Sequence, residues 1–132
     1  MGIALRSRGS KIELKCGYIG FMWLRTAIAK AYDKEFGEHY GSVMPFMRDE
    51  DWDAYQKKID EILNSGRLKN KDKSIIHHFI LISDSDGKAD YKTCGKVYEL
   101  IKDIDNDGLP NWETLKQLLK DCYSHRSNLI WN

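Results

Sequence analysis

Lys11-Ile-Glu-Leu-Lys-Cys16-Gly17-Tyr-Ile-Gly20-Phe21 changes its hydrophobic period part-way along. Up to Cys16 the residues alternate. Ile12, Leu14 and Cys16 fall on one side and Lys11, Glu13 and Lys15 on the other, the pattern of a strand that covers a core with one face. From Phe21 the spacing is helical. Phe21, Leu24, Ala27, Ile28, Ala31 and Tyr32 form one stripe that runs to about Glu35 and stops at Gly37. Gly17 and Gly20 sit at the switch, where glycine lets a strand turn tightly into a helix. A phosphate-cradling loop is the sharper reading of these glycines. It lacks the Lys-Ser/Thr of a P-loop and the third glycine of a dinucleotide fingerprint.

Working outward, Ile3 and Leu5 alternate ahead of the turn Arg8-Gly9-Ser10, so the N-terminus reads as a hairpin. Downstream, Asp49-Glu-Asp51 opens a helix that carries Trp52, Tyr55, Ile59, Ile62 and Leu63 on one face and ends near Gly66. The run 67–73 holds basic residues diluted by Asn70 and Asp72 and reads as a solvated connector. Ser74 to Ser83 fits a buried strand by its β-branched content and a helix by its apolar spacing, and helix is preferred. Two further helices are predicted, from Asp90 to Ile104 and from Asn111 to about His125. Asn128-Leu-Ile-Trp131-Asn closes the chain as a short strand able to join the hairpin. The predicted fold is therefore α+β, one domain over residues 1–132, with a small antiparallel sheet from the N- and C-terminal strands packed by four to five helices.

Composition bounds the function. In 132 residues, 42% hydrophobic and 31% charged, there is room for one core. Lys plus Arg number 21 against 20 Asp plus Glu, so no general attraction to nucleic acid or anionic membrane is expected. Phe79-Ile-Leu-Ile82 is far short of the roughly 20 apolar residues of a membrane span. The N-terminal residues carry no signal-peptide pattern. Cys16, Cys94 and Cys122 are scattered and odd in number, which fits a reducing compartment and a cytoplasmic location.

One pattern occurs twice, shifted by 21 positions: Asp84-Ser-Asp86-Gly87 and Asp105-Asn-Asp107-Gly108, each running on to Thr93 or Thr114. The echo extends into the following helix, where Val97 and Tyr98 match Leu118 and Leu119. Alternate carboxylates ahead of a glycine gather oxygens around a hard cation. With Gly108 at the sixth position of an EF-hand loop, Asp103, Asp105, Asp107 and Asn111 take positions 1, 3, 5 and 9, but position 12 is Thr114. The first loop lacks position 1 as well, which is Ile82. Calcium is the one cofactor these residues would admit, at Asp103, Asp105, Asp107 and Asn111. The competing account makes both loops turns and helix caps, with Asp90 and Asn111 as N-caps.

The segment Asp103-Ile-Asp-Asn-Asp-Gly-Leu-Pro-Asn-Trp-Glu113 resembles the calcium-binding repeats of thrombospondin type 3-like segments, departing by Asn111 and by a Glu one position early. More of the chain is similar to a group of small bacterial proteins. In these a glycine-to-phenylalanine helix start, here Gly17-Tyr-Ile-Gly-Phe21, precedes Ser-Asp-x-Asp-Gly, here Ser83 to Gly87, and a cysteine, here Cys94. That resemblance implies an architecture and no activity.

His77 and His78 are adjacent and diverge by about 100° on a helix, so they do not share a metal easily. Cys122-Tyr-Ser-His125 is half of a zinc site without a second close pair. No convincing catalytic set is present. Tyr40, Met44, Phe46 and Met47 form an aromatic and methionine loop suited to adaptable protein contacts. The leading expectation is a small protein-binding domain (inhibitor, immunity or regulatory), whose partner is another protein. A calcium module on the Asp103 loop and a small metal-dependent or hydrolytic enzyme are the alternatives.

Overall fold

The computed structural model describes residues 2–43 and 46–132. β1 (Gly2–Arg6) and β2 (Leu14–Gly17) form the predicted hairpin, with Ile3 opposite Cys16 and Leu5 opposite Leu14. β4 (Leu129–Trp131) lies on the other side of β1 and sets Trp131 opposite Leu5. β3 (Gly87–Ala89) pairs with β4, which completes an antiparallel sheet of order β2-β1-β4-β3. The fold is thus α+β, as its hydrophobic periods predict. β3 is new. Its three residues, Gly-Lys-Ala, are too few and too plain to show an alternation.

α1 (Tyr18–Tyr32) begins directly after β2, with Gly17 in an extended conformation as its N-cap. Neither switch glycine uses left-handed backbone, since among the described residues no glycine has a positive φ. The helix ends earlier than its stripe predicts. Asp33 is extended and its carboxylate accepts a hydrogen bond from the Phe36 N–H at 2.9 Å, starting α2 (Lys34–Tyr40). Gly37 is therefore not a helix end. It lies inside α2, where a Cβ would collide with the backbone of Lys30, and so it sets how closely α2 crosses α1.

α3 (Asp49–Leu63) follows, with the Arg48 N–H donating to Asp51 Oδ2 at 3.0 Å at its start. The ambiguous stretch is helical, but as a single π-turn over Ile76–Ile80, closed by Leu81 N–H to Ile76 O at 2.8 Å. α4 (Tyr91–Ile101) and α5 (Trp112–Ser124) pack against each other. No helix among the described residues is long and apolar enough to cross a membrane.

The core gathers on Trp131, which is fully buried. Phe21 from α1 and Phe79 from the π-turn meet its ring edge-on, at 5.3 and 5.7 Å between centroids. Its indole Nε1 donates to Ser83 O at 2.9 Å, so the polar edge of the ring is satisfied inside the core.

At the α1–α2 corner Arg67 donates Nε and Nη2 to the two Asp33 oxygens, each at 2.8 Å. The Arg67 bond, supported by the Phe36 N–H, holds the Asp33 carboxyl below its ordinary value. A depressed folded pKa stabilises above the unfolded value of about 3.9 and ceases to do so as pH falls through the folded one. Asp33→Ala is expected to lower stability by about 1 kcal/mol at pH 7. Urea unfolding at pH 7 and at pH 2 should show that difference shrinking in acid.

Candidate functional site

Arg25 stands on the buried side of α1, one turn after Phe21 and one turn before Ile28. Only 3% of it is exposed. Its guanidinium carbon lies 4.3 Å from the centroid of the Phe21 ring, a placement in which the ring face attracts the cation. The π-turn explains the rest of its surroundings. A helix that ends leaves carbonyls without intrahelical donors, and Arg25 Nη1 donates to Ile80 O at 3.2 Å and Ile82 O at 2.9 Å. A cation is favoured at that end of a helix.

Tyr40 OH also donates to Ile80 O, at 3.3 Å, and Tyr55 OH donates to Tyr40 O at 2.9 Å. His39 Nε2 bonds with Tyr55 O at 3.0 Å, and the two rings stack at 4.7 Å. Trp52 sets its edge on Tyr55 at 5.7 Å. One chain of contacts therefore ties α1, α2, α3 and the π-turn around a cleft of about 350 Å³, lined among others by Met22, Arg25, Trp52, Tyr55, Ile82 and Asp84.

Burial pushes the Arg25 pKa down, opposed by the neighbouring Tyr40 and Asp84. Burial also pushes the Tyr40 and Tyr55 phenols up. Both phenols stay protonated and spend their hydrogens on carbonyls, so neither offers a base for catalysis. Among the described residues no carboxylate lies within 4.0 Å of Arg25, and its Nε is buried without a partner.

The residues predicted to meet a partner are divided. Tyr40 is buried at the floor of this cleft, because α2 extends to it and its ring stacks on Phe36. It does not share a surface with Phe46, and the expectation of one exposed set is corrected there. Phe46 is 99% exposed and has a left-handed φ of 67°. Met47 is half-buried. Met44 lies outside the described residues. Arg25 escaped the sequence reading, although its signal was present: a charged residue at the spacing of the apolar stripe Phe21, Ile28, Tyr32.

The four predicted calcium ligands are not gathered in this structure. Asp103, Asp105, Asp107 and Asn111 are all exposed, and among the described residues no three His, Cys, Asp or Glu side chains gather as a metal site would require. The loop is instead folded back by α5. Trp112 Nε1 and Lys116 Nζ both donate to Ile104 O, at 2.8 and 3.0 Å. Asn111 occupies the N-cap position with φ 69° and makes no side-chain cap bond. Asp90 does cap, accepting from Thr93 N–H at 2.9 Å.

The twin glycines differ in purpose. A Cβ on Gly87 would strike the Trp131 ring, whereas one on Gly108 meets nothing within 4 Å. Cys94 and Cys122 are buried between α4 and α5, while His77, His78 and His125 are exposed. Compared with known protein families, curated proteins and solved structures, the chain matches none.

Gly87→Ala should cost about 1–3 kcal/mol through overpacking, and Gly108→Ala should stay within about 0.5 kcal/mol of the parent. Denaturant midpoints of the two variants check this directly. Millimolar calcium or a chelator should leave Tm within about 1 °C, since an ion that does not bind the native state cannot raise its stability. A calcium-dependent rise of several degrees would restore an ion to the Asp103 loop.

Proposed function

We propose that this chain is a small protein-binding domain of the inhibitor, immunity or regulatory kind, and that its contact surface is the mouth of the Arg25 cleft. One observation carries the reading. Phe46 is fully exposed, and in the sequence it falls between Val43 and Trp52, both of which line the cleft. Trp52 is itself 46% exposed. Tryptophan and arginine dominate the energetics of protein interfaces, and a pocket ringed by aromatic side chains suits a partner's anchor residue. The hydrogen-bonded tyrosines beneath it favour the reading too, because they hold the cleft in shape before any partner arrives.

The near balance of charge supports another protein as the partner in preference to nucleic acid. The calcium and enzyme alternatives have less behind them. No gathered metal-ligand set is present among the described residues, and the two cleft phenols spend their hydrogens on carbonyls.

A double variant Phe46→Ser, Trp52→Ser should stay folded with Tm lowered by no more than several degrees, because Phe46 faces solvent and Trp52 gives up only its edge contact with Tyr55. It should lose the proteins that the parent chain captures from its native host, as quantified by mass spectrometry. Undiminished capture of the same proteins by the variant would remove this surface from the reading.

A further inference from the structure

The outer face of α1 carries exposed apolar side chains. Ile19 and Trp23 stand one turn apart, and Trp23 is 57% exposed. Single exposed apolar residues are ordinary, but these belong to a larger apolar surface. A groove of about 530 Å³ runs between α1 and the loop that joins α4 to α5. α1 contributes Trp23, Ala27 and Ala31 to it, and the loop contributes Ile104 and Leu109. Because Trp23, Ala27 and Ala31 follow one another at intervals of four residues, they form one row along the helix. The two alanines leave room there for a bulky side chain. The loop wall is fixed in advance: Trp112 Nε1 and Lys116 Nζ hold Ile104 O at 2.8 and 3.0 Å, and Leu109 N–H donates to Asn106 O at 3.0 Å. This groove is separate from the Arg25 cleft, to which α1 gives Met22 and Arg25.

Charge decides what fits. The loop wall carries Asp103, Asp105 and Asp107, all exposed. Among the described residues none of the three has a cation within 4.0 Å. The cations adjoining the loop are engaged elsewhere, Lys102 with Glu99 at 2.7 Å and Lys116 with Glu113 at 3.0 Å. On the α1 side Lys30 lines the groove. Three carboxylates so close in sequence repel one another, and a cationic partner relieves that repulsion. An apolar row beside an acidic wall is complementary to a helix whose apolar stripe is flanked by Lys or Arg. We infer that the groove between α1 and the Asp103 loop is a docking site for a basic amphipathic helix of a partner protein. The apolar stripe of that helix seats against Trp23, Ala27 and Ile104, and its basic side chains face the three carboxylates. A second copy of this chain fits less well, since two such walls brought together add negative charge to negative. The site goes beyond the Phe46 and Trp52 surface and does not rest on it.

The test titrates the ¹⁵N-labelled protein at low ionic strength and follows the Trp23 indole N–H and the Ala27 and Ala31 amides. The probes are the basic helix acetyl-KALKKLLAKLKKAL-amide, the same peptide with every Lys replaced by Glu, and acetyl-KALKKLPAKLKKAL-amide, whose proline breaks the helix. The basic helix should move all three resonances saturably, and the acidic peptide should not. The proline peptide should bind about tenfold more weakly or worse. Trp23→Ser, read at the two amides, should weaken binding of the basic helix by about tenfold. Asp105→Asn with Asp107→Asn should weaken it by about fivefold and remove most of its salt dependence. All three side chains are exposed, so these variants keep the fold. Trp52→Ser should bind as the parent does, which separates this groove from the Arg25 cleft. Unmoved resonances with the basic helix overturn the inference. So does equal binding of the acidic or the proline peptide, or an affinity that neither Trp23→Ser nor the paired Asp variant changes. A loss in Trp52→Ser as large as in Trp23→Ser moves the binding to the Arg25 cleft and overturns the groove. A parent dimer in sedimentation equilibrium that Trp23→Ser abolishes gives the groove to a second copy and overturns the partner helix.

Discussion

Trp131 is the residue on which the separate parts of the chain meet. It comes from a strand of three residues, yet that strand lies between β1 and β3 and joins the two ends of the sequence in one sheet. Phe21 and Phe79 close on its ring from two helical segments, and Gly87 gives up a side chain so that the ring can lie flat against β3. Because the indole N–H is spent on Ser83 O, the same residue also fixes the bend between the π-turn and β3. A large aromatic ring with one satisfied polar edge can be both the centre of a core and the anchor of a loop.

That anchoring has a consequence at the cleft. The segment from Ile80 to Ser83 is held on one side by Trp131 and on the other by Arg25 and Tyr40. Its carbonyls are turned away from any regular ladder, as the end of a π-turn requires. A buried guanidinium answers them, at the desolvation cost that any charge incurs away from water. Its Nε is left buried without an acceptor among the described residues.

The repeated Asp-x-Asp-Gly segments show how far local pattern reaches. Both look alike over ten residues, and both precede a helix. In the first, the neighbouring Trp131 draws Gly87 to Ala89 into the sheet as β3, and Asp90 then caps α4. In the second, Trp112 and Lys116 of α5 reach back to Ile104 and hold the loop against the helix. Similar residues with different neighbours do different jobs. The ligand spacing was legible, but the position of the surrounding cations and rings was not.

Hydrophobic period by itself determined the hairpin, the long helices and the return of the C-terminus to the sheet. These depend on which face of each element is apolar, and residues such as Leu14, Ile28 and Leu119 state that face directly. Asp90 as a cap was readable for the same reason, since its partner Thr93 is three residues away. Tertiary structure alone decided β3, the break at Asp33, the inward turn of Tyr40 and the cleft around Arg25. Each of these rests on a partner distant in sequence: Trp131 for Gly87, Arg67 for Asp33, and Ile80 for both Tyr40 and Arg25. Such a partner adds its energy only once the chain has brought it near, so the local pattern names no contact, even where, as at Arg25, it shows a charge on an apolar stripe.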